Sequence, residues 1–179
     1  MKLKDYINLD KRMEYLNPLS KSWFIDILLH SEQYLLRRFL RSLRSEEFYS
    51  KINPNKILKY YYQRRKNIIG SRLGFFIPAG CFDEDLKIYH YGSIIIHPKA
   101  RIGKHCTIHG NCCIGSKGGD LEGYPRIGNN VDIGQNAQII GDVYVADNVK
   151  IGAGSIVTKS IKEQGVTVIG IPAKIIDKN

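Results

Sequence analysis

Five histidines, His30, His90, His97, His105 and His109, are the side chains of this sequence best able to take up and return a proton near neutral pH. Four of them fall between positions 90 and 109, and from the residues alone each of the four has an equal claim to act as a general base. His30 lies among helical apolar residues and reads as structural. His97 and His109 each follow an aliphatic residue and would line an outer surface or a corner, while His105 reads as exposed. Downstream, Gly115-Ser116-Lys117-Gly118-Gly119-Asp120-Leu121-Glu122-Gly123-Tyr124-Pro125-Arg126 places four glycines in twelve residues, too many for a regular element. Such a segment must be extruded as a loop, either as a surface excursion or as a cover for a site. The cysteines, Cys81, Cys106, Cys112 and Cys113, show no CxxC spacing, which suits a reduced, cytoplasmic protein.

The elements that must hold these groups are written as a repeat. An aliphatic β-branched residue recurs every six positions at Ile96, Ile102, Ile108 and Ile114, then at Ile127, Ile133, Ile139, Val145, Ile151 and Val157. Ile and Val together make up 33 of the 179 residues, so ten hits in ten slots are not chance. An α-helix turns by about 600° over six residues and would scatter them over divergent faces. A flat strand alternates with period two. Hexads suit a parallel β-helix instead, each forming one short side of a triangular coil with its aliphatic residue pointing inwards. The residue after each aliphatic is usually small (Gly103, Gly115, Gly128, Gly134, Ala146, Gly152), which suggests glycines that turn corners at positive φ. Four positions after each start comes a compact residue, Ala100, Cys106, Cys112, Val131, Ala137, Val143, Val149 or Ser155, to fill a narrow interior. About four to five coils are expected.

The first 75 residues differ in kind. They carry 16 Lys and Arg against 7 Asp and Glu, whereas the remainder is nearly balanced with 11 and 10. Ser22 is placed to cap one helix running through Phe24, Ile27, Leu28, Leu35, Leu36, Phe39 and Leu40, with Arg37, Arg38, Arg41 and Arg44 near its end. Asn53-Pro54-Asn55 interrupts, and a second helix carries Ile57, Leu58, Tyr60, Tyr61 and Tyr62 into Arg64-Arg65-Lys66. The basic face reads either as solvated or as drawn to an anionic surface, lipid headgroups or a polyanionic substrate; without a binding motif it is poor support for nucleic acid. Aliphatic runs such as Ile94–Ile96 stop at three residues, and no apolar leader follows Lys2 and Lys4. The division expected is a helical region over 1–74, the β-helix over 75–162 and a tail over 163–179, in a protein that is cytoplasmic or membrane-peripheral.

The tail Val168-Ile169-Gly170-Ile171-Pro172-Ala173-Lys174-Ile175-Ile176, the hexads, and Tyr89-His90-Tyr91-Gly92 followed by Ile94–Ile96 and His97-Pro98-Lys99-Ala100-Arg101-Ile102-Gly103 resemble the hexapeptide-repeat, left-handed β-helix acyltransferases. The likeness runs over residues 72–176 and is strongest to the serine acetyltransferase branch, including relatives associated with capsule and surface polysaccharides. It implies a mainly β fold, a homotrimer with sites in clefts between prisms, and acetyl-CoA as cosubstrate. It implies His90 as the catalytic base, with His109 second. It places Gly115, Ser116, Lys117 and Gly118 near the pantetheine, with Lys159 and Lys174 as partners for the CoA phosphates.

Departures from the serine enzymes bear on the acceptor. Tyr89 stands where they have an Asp before the catalytic His, Phe75 stands at a further acceptor-pocket Asp, and Glu122-Gly123-Tyr124-Pro125 replaces their Asp-Arg-His-Pro. A zwitterionic acceptor needs paired charges. The replacements Phe75, Tyr89 and Tyr124, with Glu122, therefore suggest stacking on a sugar and O-acetylation of a saccharide hydroxyl, with serine as the alternative acceptor. Asp83, Asp85, Asp120 and Glu122 are candidates to orient His90, as is a neighbouring subunit. Two other classes remain: a zinc hydratase of the carbonic anhydrase type, whose histidine arrangement these spacings do not match, and a non-catalytic scaffold.

Overall fold

The computed structural model describes residues 1–10, 21–118 and 123–178. Among the described residues, the hexads and the segments flanking them build fourteen short strands that pair in three sheets. Face A contains β1 (Phe75–Phe76), β3 (Ile94–Ile96), β6 (Cys113–Gly115), β9 (Gln138–Ile140) and β12 (Ile156–Val157), all parallel. Face B contains β4 (Arg101–Ile102), β7 (Arg126–Ile127) and β10 (Tyr144–Val145), lengthened by bridges from Phe82 to Ile102 and from Val145 to Ile161. Face C contains β2 (Lys87–Ile88), β5 (Thr107–Ile108), β8 (Asp132–Ile133), β11 (Lys150–Ile151) and β13 (Val166–Gly170), closed by the antiparallel β14 (Ala173–Lys178). Successive strands visit successive faces, so the chain winds as a triangular left-handed β-helix of about five coils.

Packing follows the repeat. All ten hexad aliphatics are buried, none more than 5% exposed, and the eight compact residues are at most 2% exposed. Burial of each Ile or Val contributes about 1.5–3 kcal/mol, and stacking them coil upon coil gives one continuous core. The glycines play a different part from the one their position suggests. The backbone turns at positive φ three residues before the inward aliphatic, at Asp85, His105, Asn111, Asn130, Asn136 and Asn148, not at the glycine after it. Asn and Asp tolerate this region because their short polar side chains bond locally. The glycines Gly103, Gly134 and Gly152 serve close approach: a Cβ on Gly134 would lie 2.6 Å from the Ile151 carbonyl oxygen of the next coil, and one on Gly152 would lie 2.5 Å from Ile169 Cγ2.

The N-terminal region also departs from expectation. Its long helix is two helices, α2 (Lys21–Leu28) and α3 (Glu32–Glu47), after a short α1 (Leu3–Ile7). Between them His30 adopts φ 48°, the Ser31 N–H donates to the Asp26 carbonyl, and the Ser31 hydroxyl, not that of Ser22, caps α3 by accepting from the Tyr34 N–H. A π-helical turn (Phe48–Ile52) leads to α4 (Lys56–Leu73), capped by Asn55 and ended by Gly74 at φ 79°. Not all of the basic residues are solvated. Arg44 is 3% exposed and spends its donors on both Asp10 oxygens, Glu47 and the carbonyls of Phe82 and Asp83. Lys66 is buried against Glu46 at 2.8 Å. These ion pairs tie the helices to one another and to the first coil, and remove two cations from the surface that would attract an anionic partner. Among the described residues no helix is long and apolar enough to cross a membrane.

Candidate active site

Between β2 and β3 the chain takes two residues more than a hexad, and the excess forms a raised corner, Tyr89-His90-Tyr91-Gly92, between faces C and A. It is pinned on both sides. The Gly92 N–H donates to the Leu73 carbonyl at the end of α4, and the Tyr89 N–H to the Ile108 carbonyl of the next coil. Gly92 is required twice, by its φ of 133° and because a Cβ there would meet Asn111 Oδ1 at 2.8 Å. The imidazole of His90 stands out from this corner with 67% of its side chain exposed.

Its partner comes from an unexpected quarter. Glu32, the first residue of α3, accepts the Tyr91 N–H on Oε1 at 2.7 Å and meets His90 Nδ1 with Oε2 at 3.2 Å. The ring nitrogen left open to an acceptor is Nε2. Of the carboxylates suggested by sequence, Asp85 meets His105 Nδ1 at 2.8 Å instead, the Asp83 backbone carbonyl is held by Arg44, and Asp120 and Glu122 lie outside the described residues. Glu32 sits 58 positions before His90, and no periodicity or motif links the two.

Around His90 the corner gathers aromatic and charged groups. Tyr89 lies 6.3 Å from it, centroid to centroid, and stacks on His109 at 4.6 Å. Lys87 Nζ sits 4.1 Å above the Tyr89 ring and 3.0 Å from its hydroxyl. His109 Nε2 lies 3.2 Å from Asp132 Oδ1. Phe75 does not reach this site. It is 8% exposed and packs edge-on against Phe39 of α3 at 5.1 Å, which makes it a core residue and removes it as a stacking surface.

The glycine-rich loop emerges at a different corner, between faces A and B. Tyr124 stacks on His97 at 4.4 Å with Lys99 Nζ 4.8 Å above its ring, and the Gly141 N–H donates to the Gly115 carbonyl. The Lys117 side chain runs across Gly141. Gly115 has an ordinary φ and, among the described residues, nothing within 4 Å of where its Cβ would stand, so packing there gives no reason for it to lack a side chain; Gly118 has similar space but a φ of 80°, which itself favours glycine. Lys159 and Lys174 are exposed. Thus Tyr89, His90 and His109 come together at one edge of face A, while Gly115, Ser116, Lys117, Gly118 and Tyr124 stand at the other. Between them the outer side of face A is a ladder of Phe76, Ile95, Cys113, Gln138 and Ile156, four of its five rungs apolar. The outer ladders of the other faces read Arg101, Arg126, Tyr144 and Lys87, Thr107, Asp132, Lys150, Thr167. Among the described residues no group of three or more His, Cys, Asp or Glu is gathered for a metal.

Comparisons with known proteins agree with this architecture. The family described as "Bacterial transferase hexapeptide (six repeats)" matches residues 124–159. Serine acetyltransferase of Synechococcus elongatus is 27% identical over 132 residues, covering 68% of this chain and 54% of that protein. Its counterpart in Buchnera aphidicola from Schizaphis graminum is 38% identical over 103 residues, covering 56% and 39%. The chain thus spans about half the length, or less, of these curated relatives. Among solved structures, Neisseria gonorrhoeae serine acetyltransferase in complex with serine superposes with a TM-score of 0.68 at 25% identity, covering 98% of this chain and 67% of that one. The Brucella abortus enzyme in complex with coenzyme A gives 0.70 at 26%, covering 98% and 68%. The closeness to surface-polysaccharide enzymes expected from the sequence finds no support in these relatives, whose names point to serine. What they show for this chain is a hexapeptide-repeat β-helix that is similar in sequence and fold to serine acetyltransferases.

Proposed function

We propose that this protein is an acetyl-CoA-dependent O-acetyltransferase of the serine acetyltransferase type, working as a homotrimer whose sites lie between subunits. One observation carries the reading: an exposed, carboxylate-braced imidazole and a glycine-rich loop stand at opposite edges of a single apolar outer face. Packing that face against a neighbour in a closed ring brings the His90 edge of one subunit to the loop edge of the next. Neither edge makes a whole site alone.

In this arrangement the acceptor hydroxyl gives its proton to His90 Nε2 as its oxygen attacks the thioester carbonyl. The C–S bond then breaks, and the departing thiolate recovers the proton from His90. Backbone N–H groups of the loop are suited to the charge that builds on the carbonyl oxygen. The space open at Gly115 among the described residues lets a pantetheine arm approach the backbone closely.

Serine is the acceptor favoured by the similarity to serine acetyltransferases, and the corner holds charges that sequence reasoning missed. Asp132 is placed for an ammonium, and Lys87 for a carboxylate, where the loop has Gly123 in place of an Arg. A second reading, transfer to a sugar hydroxyl, rests on the exposed rings of Tyr89 and Tyr91 beside His90.

The test is thiol release from acetyl-CoA with L-serine and, in parallel, a panel of nucleotide-sugars. Serine-dependent release is expected, falling by about 10²–10⁴-fold in His90→Ala while acetyl-CoA still binds. Release with sugars alone would select the second reading. No release with any acceptor, or full activity in His90→Ala, would overturn the mechanism.

A further inference from the structure

We infer that Glu32 is the positioning residue for His90: its carboxylate holds the imidazole in the Nδ1–H tautomer, so that Nε2 carries the lone pair used as base. The inference rests on the acyl-transfer reading for its consequence, but its physical content is the state of one ring.

The two oxygens of Glu32 do different work. Oε1 takes the backbone N–H of Tyr91 at 2.7 Å, which fixes the carboxylate against the raised corner. Oε2 then faces His90 Nδ1 at 3.2 Å, and an ionised carboxylate can only accept, so a neutral ring must place its proton on Nδ1. Glu32 begins a sixteen-residue helix, whose N-terminal end is the one that favours a negative side chain. Its side chain is 27% exposed against 67% for His90, so the carboxylate is the more sheltered partner of the two. The helix is held in turn by Arg44, near its far end, whose bonds to Asp10 and to the carbonyls of Phe82 and Asp83 dock it on the first coil. The N-terminal helices therefore contribute a functional group to the β-helix as well as covering its end.

Glu32→Gln discriminates sharply. The Gln carbonyl can keep the Tyr91 N–H, so the corner stays in place, but the amide nitrogen now faces Nδ1 and can only donate. The ring must then carry its proton on Nε2, which is the wrong nitrogen for a base. Nitrogen NMR of the His90 ring at about pH 8.5, where an ordinary imidazole is neutral, reads this directly. The Nδ1–H form is expected in the unmodified protein and the Nε2–H form in Glu32→Gln, with an unchanged thermal midpoint. Turnover should fall about 10- to 100-fold with little change in the KM for acetyl-CoA, and Glu32→Asp should recover part of it; a fully buried triad carboxylate costs about 10⁴-fold. The same tautomer in both proteins, or wild-type turnover in Glu32→Gln, would overturn the inference. Should the unmodified protein release no thiol, the acyl-transfer reading fails by that result, and the ring measurement still decides the role of Glu32.

Discussion

Cys81 and Cys112 are each 1% exposed, and burial pushes both thiols up to about 11 from an ordinary value of 9. A raised folded value means that folding favours the protonated thiol. The stability this represents is complete below the unfolded value and is lost as pH rises from about 9 through about 11. The thermal midpoint should therefore drop across that window, and Cys112→Ala should flatten the drop although it lowers the midpoint at neutral pH. An equally steep alkaline loss in Cys112→Ala would show that other groups carry it. Cys112, like Cys106, was legible as a core residue because it fills the compact slot of the hexad; Cys81 lies before the regular hexads and was not. The brace on His90 was not, because a hydrogen bond between residues 32 and 90 depends on how a helix docks, and no spacing within either segment records docking. Phe75 was misread for the related reason that its place in a family motif says nothing of the Phe39 ring that covers it.

Among elements, the glycines divide into two kinds that the sequence writes identically, each following an inward aliphatic. Gly134 lies under the next coil, where an added Cβ would meet backbone atoms at 2.6 and 2.8 Å, while Gly115 has open space. Gly134→Ala should therefore cost about 1–3 kcal/mol by overpacking against backbone. Gly115→Ala should stay within about 0.5 kcal/mol of the parent. The kinetic order should reverse, with Gly115→Ala raising the KM for acetyl-CoA. Denaturant midpoints and acetyl-CoA titrations check the pair, and equal destabilisation would remove the distinction. The β-helix itself was legible down to its register, since six-residue periodicity admits so few alternatives. The helical region was legible only in outline. Apolar spacing continues smoothly from Ile27 to Leu40, yet His30 in the left-handed region and the Ser31 cap cut it in two.

For the whole molecule, the apolar outer ladder of face A is the surface to test. Ile95 stands in it with 48% exposure in the single chain, so Ile95→Asp should leave the coil folded yet shift the sedimenting species from trimer to monomer and abolish thiol release. A stable trimer in that variant would place the interface elsewhere. Sharing of sites has its own signature. His90→Ala and Gly115→Trp should each be inactive, but refolded together they should regain activity, because about a quarter of sites in a random mixture draw an intact edge from each parent.

The three sheets also fix a scale along the prism. Neighbouring coils in a sheet lie about 4.8 Å apart, so each edge of the prism is a ruler graduated in whole coils. A thread-like ligand laid along the loop edge passes one graduation for every eighteen residues of chain. Deleting one complete turn of three hexads would therefore shorten the berth for such a ligand by about 4.8 Å and leave every remaining corner in register.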